Sequence, residues 1–147
     1  MTKNQKFDVE KTIGVALHQS SYLFKTAMRS VFQEQGVDIT PEELVTLGIL
    51  PKGDIDQSEL VIRLRKDKTN VTRLLSRMEG KGWIRRATHA QSGRQLTVSI
   101  TPSGQNIAKQ LFPLIQKMAS GALQGIDDTD IETTRRTLIK LANNLVD

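Results

Sequence analysis

The sequence has no cysteine among its 147 residues and no long apolar run. Without cysteine the chain cannot form disulfides, a thiol redox switch or thiolate metal sites. A membrane-spanning helix needs about 18 consecutive apolar residues, and no stretch approaches that length. The first six residues also lack the apolar segment and cleavage site of a signal peptide. These absences predict a cytoplasmic protein that does not enter membranes.

Motifs for catalysis are also missing. The sequence contains no Gly-rich phosphate loop, no nucleophile elbow and no paired acidic motif. Its two histidines, His18 and His89, have no cysteine or clustered carboxylates beside them, which favours structural or solvated roles over metal binding. We therefore expect no enzymatic activity, no cofactor and no metal site.

Charge is unevenly distributed along an otherwise ordinary composition. The chain is 37% hydrophobic and 25% charged, which is typical of one globular domain. Its formal net charge is +5, but residues 58–94 contain ten Lys or Arg and three Asp or Glu, a local net of +7. Such a segment indicates an anionic partner, although charge alone does not distinguish nucleic acid from a membrane surface.

Two helices are predicted before this basic segment. The first runs from about Asp8 to Gln35, with Asp8 as its cap, Phe7 as a hydrophobic staple and Gly36 as its stop. Its apolar stripe is too long for a compact single domain, so pairing with a second subunit is expected to cover the excess. The second helix opens with a capping box between Thr40 and Glu43.

The basic segment itself predicts a helix-turn-helix followed by a β-hairpin, the wing. One helix covers about 57–65 and opens with a capping box between Asp56 and Glu59. A second covers about 69–80, and strands at 83–90 and 94–100 flank a turn at 91–93. Long helices at about 102–123, kinked by Pro113, and after Asp127 or Asp128 complete a mainly α fold with a small β-wing.

The second helix of this motif is the predicted recognition helix, because its two faces differ sharply in character. Val71, Leu74, Leu75 and Met78 form one apolar face. The residues left on the outer face are polar or basic: Lys68, Thr69, Asn70, Thr72, Arg73, Ser76 and Arg77.

In a major groove, Asn can pair with adenine and Arg with guanine, whereas hydroxyls suit phosphates or a thymine methyl. The helix N-terminus near Lys68 and Thr69 could also hold a phosphate. The plainer interpretation is the solvated face of an amphipathic helix. The scarcity of acidic residues on this face favours DNA contact.

Four stretches together resemble the MarR family of bacterial transcription regulators, over nearly the whole chain. They are Ser58-Glu59-Leu60, Asn70-Val71-Thr72-Arg73-Leu74-Leu75, Lys81-Gly82-Trp83-Ile84-Arg85-Arg86 and Ile100-Thr101-Pro102-Ser103-Gly104. The resemblance implies one domain over 1–147. Residues 39–101 would form a winged helix-turn-helix lobe, with the helix-turn-helix at about 57–80 and the wing at 83–100. Residues 7–36 and 102–147 would form the dimerisation helices.

The resemblance also implies a homodimeric repressor that binds a pseudo-palindromic duplex site and responds to a small aromatic or anionic effector. In the wing, Arg86 and Arg94 are the predicted DNA contacts, with Arg94 in the minor groove. The family's usual Asp-x-Arg signature is here Ser92 and Arg94, so a weaker hydrogen-bonding partner replaces the carboxylate. For the effector, the residues to examine are His18 and Tyr22 on the first helix.

Other cations near the motif are predicted to touch the DNA backbone or nothing: Arg63, Arg65, Lys66 and Lys81. On this view Lys81→Ala weakens DNA binding evenly across sequences. The alternative function is a winged-helix module whose basic face binds an acidic protein.

Overall fold

The computed structural model describes residues 6–88 and 96–146. The described residues form six α-helices and one small three-stranded sheet, in the order that the sequence predicts. In chain order the elements are α1 (Ile13–Glu34), α2 (Pro41–Ile49), β1 (Ile55–Asp56), α3 (Gln57–Leu64), α4 (Lys68–Gly80), β2 (Ile84–Thr88), β3 (Leu96–Ile100), α5 (Pro102–Ala122) and α6 (Asp128–Leu145).

One hydrophobic core supports the helix-turn-helix. Its most deeply buried side chains come from α2, α3, α4 and the middle of α5, namely Leu44, Leu60, Leu74, Leu75, Met78 and Leu111. The predicted apolar face of α4 is thus its buried face. Helix α1 contributes only Met28 and Phe32 to the buried set. The recognition helix therefore rests on a packed scaffold, whereas most of α1 does not.

The first helix begins later than predicted. Asp8 caps only a 3₁₀ turn at Val9–Lys11, accepting a hydrogen bond from the Glu10 amide at 3.2 Å. Thr12 then has an extended backbone, and its hydroxyl accepts from the Val15 amide at 3.3 Å to cap α1. A second residue that can cap thus divides the predicted helix in two. The predicted staple is also wrong, because Phe7 is 80% exposed.

One predicted capping box is confirmed and the other is wrong. At α2, Thr40 Oγ1 accepts from the Glu43 amide at 3.2 Å, and Glu43 Oε1 accepts from the Thr40 amide at 3.1 Å. At α3, Asp56 occupies the cap position but makes no side-chain capping bond. The reason is that Asp56 belongs to strand β1, where it pairs with Thr97. Strand pairing thus replaces the local cap.

The sheet is antiparallel, with strand order β1-β3-β2. Strands β2 and β3 pair from Ile84 opposite Ile100 to Thr88 opposite Leu96, which forms the base of the predicted wing. The predicted hairpin turn lies outside the described residues. The same is true of His89, Ser92 and the proposed minor-groove contact Arg94.

The C-terminal helices expose much apolar surface. Thr101 caps α5 by accepting from the Gly104 amide at 3.1 Å, and Pro113 lies inside the helix as predicted. Helix α6 follows Asp127, which makes no side-chain capping bond, and it has no buried residue. Large apolar side chains are exposed on α1 and α6, among them Leu23, Phe24, Ile139 and Leu145. None of the helices in the described residues has both the length and the apolar character that crossing a bilayer requires.

Candidate nucleic-acid interface

The N-terminus of α4 is fixed by a two-point cap. Asp67 accepts from the Asn70 amide at 2.8 Å through one oxygen and from Asn70 Nδ2 at 2.5 Å through the other. The hydrogen bond from the Asn70 backbone is the main reason why the pKa of Asp67 lies below its ordinary value. The cap therefore holds the Asn70 side chain through one Nδ2 hydrogen, which leaves the second Nδ2 hydrogen available as a donor.

Most of the predicted outer face of α4 is open to solvent. Six of the seven predicted contact residues are exposed: Lys68, Thr69, Asn70, Arg73, Ser76 and Arg77. Since the opposite face of the helix is buried in the core, these side chains project from a supported surface. The arrangement permits hydrogen bonds from guanidinium and hydroxyl groups to a groove or phosphate.

Thr72 differs from the other six because it is half-buried. Its hydroxyl donates to the Lys68 carbonyl at 2.8 Å and accepts from Gln57 Nε2 at 3.3 Å. Thr72 therefore links α4 to the start of α3 in the free protein. The sequence pattern places Thr72 on the outer face but cannot reveal this partner fifteen residues away.

Arg86 lies against α4 in an ion pair. One of its guanidinium nitrogens is 3.1 Å from Glu79 Oε1 and 3.1 Å from Ser76 Oγ, while its backbone amide donates to Glu79 Oε2 at 2.9 Å. These bonds from Arg86 hold the pKa of Glu79 below its ordinary value. The Arg86 side chain is only 19% exposed, and its position ties β2 to the recognition helix. Arg85, on the other face of β2, is exposed.

A shallow cavity of about 300 Å³ borders the exposed face of α4. It is lined by Glu42, Lys66, Asn70, Arg73 and Arg77. Lys66 Nζ lies 2.8 Å from Glu42 Oε1. That hydrogen bond is the main cause that lowers the pKa of Glu42, to which Lys25 and Arg77 add at longer range. The exposed cations of α4 therefore lie next to Lys66, whose positive charge is paired with the Glu42 carboxylate.

Lys81 is half-buried and is held by two hydrogen bonds to other parts of the protein. Its ammonium lies 3.0 Å from Glu43 Oε1, 2.8 Å from the Asp38 carbonyl oxygen and 4.9 Å from the centre of the Trp83 ring. Glu43 is fully buried, and Trp83 is 7% exposed. In the free protein Lys81 is therefore already bound to a buried carboxylate, and the predicted contact with the DNA backbone would require it to leave Glu43. The sequence identifies Glu43 as a capping residue but gives no signal of this second partner.

The two predicted effector residues lie together on α1. His18 and Tyr22 line a shallow cavity of about 320 Å³ with Ser21, Lys25 and Arg29. The lining combines an exposed phenol ring with two cations. In the part of the chain that the structure describes, no group of three or more His, Cys, Asp or Glu residues is placed to bind a metal ion.

Known proteins share both the sequence pattern and the fold. The MarR family model matches residues 39–96. The transcriptional repressor MprA of Escherichia coli is 28% identical over 100 residues, which cover 67% of this chain and 56% of that protein.

Among solved structures, the S. aureus MepR–DNA complex matches with a TM-score of 0.78 at 22% identity, covering 95% of this chain and 100% of that one. A Bordetella bronchiseptica BpsR structure, concerned with the regulation of its DNA binding by 6-hydroxynicotinic acid, matches with a TM-score of 0.83 at 15% identity. That match covers 96% of this chain and 99% of the BpsR chain. The winged helix-turn-helix with long flanking helices is the fold that all of these observations share. The chain is thus similar to the MarR family in sequence over residues 39–96 and similar in fold to the two solved structures over most of its length.

Proposed function

We propose that this protein is a homodimeric transcriptional regulator that binds specific sites in double-stranded DNA in the cytoplasm and acts as a repressor. The observation that carries the proposal is the exposed polar and basic face of α4, held outward by a buried apolar face. A helix of this shape fits the major groove, which presents a distinct pattern for each base pair. The match to the MarR family model over residues 39–96 supports the same conclusion, and MprA, which is 28% identical over 100 residues, is described as a transcriptional repressor.

The site residues divide by what they can reach. Arg73 and Arg77 would donate to guanine, and Asn70 would pair with adenine. Lys68 and Thr69, at the first turn of α4, would hold a phosphate near the amides of the helix N-terminus. Ser76 and Thr72 would add hydroxyl contacts to phosphate oxygens or to a thymine methyl. In the wing, Arg94 would enter the minor groove. Arg86 would instead hold β2 against α4 through its bonds to Glu79 and Ser76.

A second copy of the chain is the proposed partner for α1 and α6. Both helices expose large apolar side chains, and α6 buries none of its own. A symmetric dimer formed through this surface would carry two copies of α4, and the proposed function requires both to face the same DNA duplex. Two such helices read half-sites about one helical turn apart, which predicts a pseudo-palindromic operator.

A small aromatic anion is the proposed effector, bound at the cavity of His18 and Tyr22. Lys25 and Arg29 supply positive charge there, and the phenol ring supplies an apolar surface. BpsR offers a parallel, since 6-hydroxynicotinic acid regulates its DNA binding. By linkage, an effector that weakens DNA binding must itself bind less tightly to the DNA-loaded protein by the same factor.

Fluorescence anisotropy against duplex fragments of the source genome tests the proposal. We expect one or more fragments to bind at least about a thousandfold more tightly than random duplex, with affinity falling steeply as salt rises. A matched titration with scrambled fragments of equal length controls for bulk charge. Equal binding to every duplex would instead support the alternative, a module that docks an acidic protein.

A further inference from the structure

Two adjacent carboxylates on the first turn of α2 bind the residues that flank α4 on either side. Glu42 pairs with Lys66, which directly precedes the cap residue Asp67. Glu43 pairs with Lys81, which directly follows the last residue of α4. One short segment of α2 is thus bonded to both ends of the recognition helix. We call these four residues the α2 clamp.

The two halves of the α2 clamp differ in burial. In the first, the side chains of Lys66 and Glu42 are 33% and 44% exposed, so water weakens their 2.8 Å contact. In the second, Glu43 is fully buried and Lys81 is 27% exposed. Glu43 Oε1 accepts from both Lys81 and the Thr40 amide, while Oε2 is buried without a hydrogen-bond partner among the described residues. Such a carboxylate depends on its cation, because an uncompensated buried charge is strongly unfavourable.

Helix α2 also packs against the long helices α5 and α1. Gly48 of α2 lies so close to α5 that a Cβ atom placed on it would come within 2.6 Å of Phe112 Cζ. The same helix contacts α1. A shift of α5 or α1 would therefore displace α2, and the clamp would carry that displacement to both ends of α4.

We propose that the α2 clamp sets the orientation of the recognition helix, so that Glu42, Glu43, Lys66 and Lys81 are positioning residues for base reading. None of the four needs to touch a base for this role. The inference rests on the proposed function, because it assigns these residues to the specificity of the same DNA-binding surface. It also explains why Lys66 and Lys81, which lie near α4, pair with carboxylates of the protein instead of being available to DNA phosphates.

A charge swap tests the exposed half of the clamp. Glu42→Gln and Lys66→Glu should each lower the ratio of specific to random-duplex affinity about two- to fivefold, whereas the double variant Glu42→Lys with Lys66→Glu should restore it. Glu59→Gln is the matched control, because it removes an exposed carboxylate from α3 outside the clamp. A swap that stays as weak as Lys66→Glu alone would show that Lys66 binds phosphate directly, and this would overturn the inference.

Hydrogen exchange of the DNA-free protein gives a second measurement that does not depend on DNA. Glu42→Gln should speed exchange of the Asn70 and Val71 amides about two- to fivefold and leave the Lys81 and Gly82 amides unchanged. Glu43→Gln, which keeps a hydrogen-bonding group in place, should speed exchange of the Lys81 and Gly82 amides and leave the Asn70 and Val71 amides unchanged. Equal protection in all variants would refute the clamp. The expected exchange pattern could also occur in a protein that binds no specific duplex. In that case the proposed function would fail and the clamp would stand as a structural feature.

Discussion

At the scale of single residues, the cations around α4 fall into two groups with different physical states. Lys68, Arg73 and Arg77 are exposed on its outer face. Lys66, Lys81 and Arg86 lie within salt-bridge distance of a carboxylate. Substitutions in the first group should act mainly on DNA affinity, and those in the second mainly on the stability and geometry of the lobe.

Arg73→Ala should weaken specific binding by about 1–3 kcal/mol and relax the preference at one base pair, because a guanidinium can pair bidentately with guanine. Competition anisotropy against single-base variants of the operator measures both effects. Arg136→Ala on α6 is the control, since it removes the same charge from an exposed site far along the chain. An equal loss of affinity for every duplex would make Arg73 a phosphate contact instead.

Lys81→Ala should destabilise the fold by about 3 kcal/mol, because the buried carboxylate of Glu43 loses its cation. Urea unfolding at neutral pH measures this change. Lys68→Ala, which truncates an exposed lysine of α4, should change the free energy of unfolding by less than about 0.5 kcal/mol. Unchanged stability of Lys81→Ala together with weaker DNA binding would return Lys81 to the interface.

The Glu79–Arg86 pair should make stability depend on acid pH. Folding lowers the pKa of Glu79 from its ordinary 4.5, so the pair stabilises the protein above that value. The stabilisation is lost as pH falls through the lowered folded-state pKa. At pH 7 the free energy of unfolding of the wild-type protein should exceed that of Glu79→Gln by at most about 1 kcal/mol, because the pair is partly exposed. Urea unfolding across pH 7 to 3 should show this difference disappear, and a difference that persists in strong acid would contradict it.

At the scale of elements, α2 and α5 pack closely where Gly48 meets the Phe112 ring. Gly48→Ala should destabilise the protein by about 1–3 kcal/mol, because the new methyl group overlaps the Phe112 ring. The matched control is Gly121→Ala in α5, where nothing lies within 4 Å, and it should stabilise by about 0.5–1 kcal/mol. Thermal unfolding compares the two. If both variants were equally stable, the ring would move aside at little cost.

Local chemistry made most elements predictable from the sequence. The capping box of Thr40 and Glu43 and the apolar spacing of Val71, Leu74, Leu75 and Met78 depend on neighbours within one or two turns. Two of the exceptions were decided by distant partners. Asp56 pairs with Thr97 across the sheet, and Lys81 binds Glu43 from thirty-eight residues away. Periodicity cannot reveal such partners, so it marked the outer face of α4 but not which nearby cations are already bound.

At the scale of the whole molecule, net positive charge and most of the exposed apolar side chains are concentrated on different elements. The basic residues concentrate in the lobe of α3, α4 and the wing, while α1 and α6 expose apolar side chains. This separation is suited to a molecule that assembles through one side and meets an anion with the other.

Assembly should therefore be visible in solution. Sedimentation should show a dimer, and Ile139→Asp on α6 should raise the dimer Kd at least about tenfold, because a charge would replace an exposed apolar side chain in the interface. Ile62→Asp on α3 is the control, since Ile62 is 75% exposed but lies in the DNA-binding lobe. A wild-type protein that stayed monomeric at high concentration would remove the basis for paired recognition helices.

The two hydrogen bonds donated by the Lys81 ammonium should also affect its reactivity toward chemical reagents. An amine-acylating reagent should modify the exposed Lys68 readily, but Lys81 must first release both Glu43 and the Asp38 carbonyl. The order in which lysines are labelled, read by mass spectrometry, would then report whether the lobe is intact. Modification at Lys81 would mark molecules that have already opened.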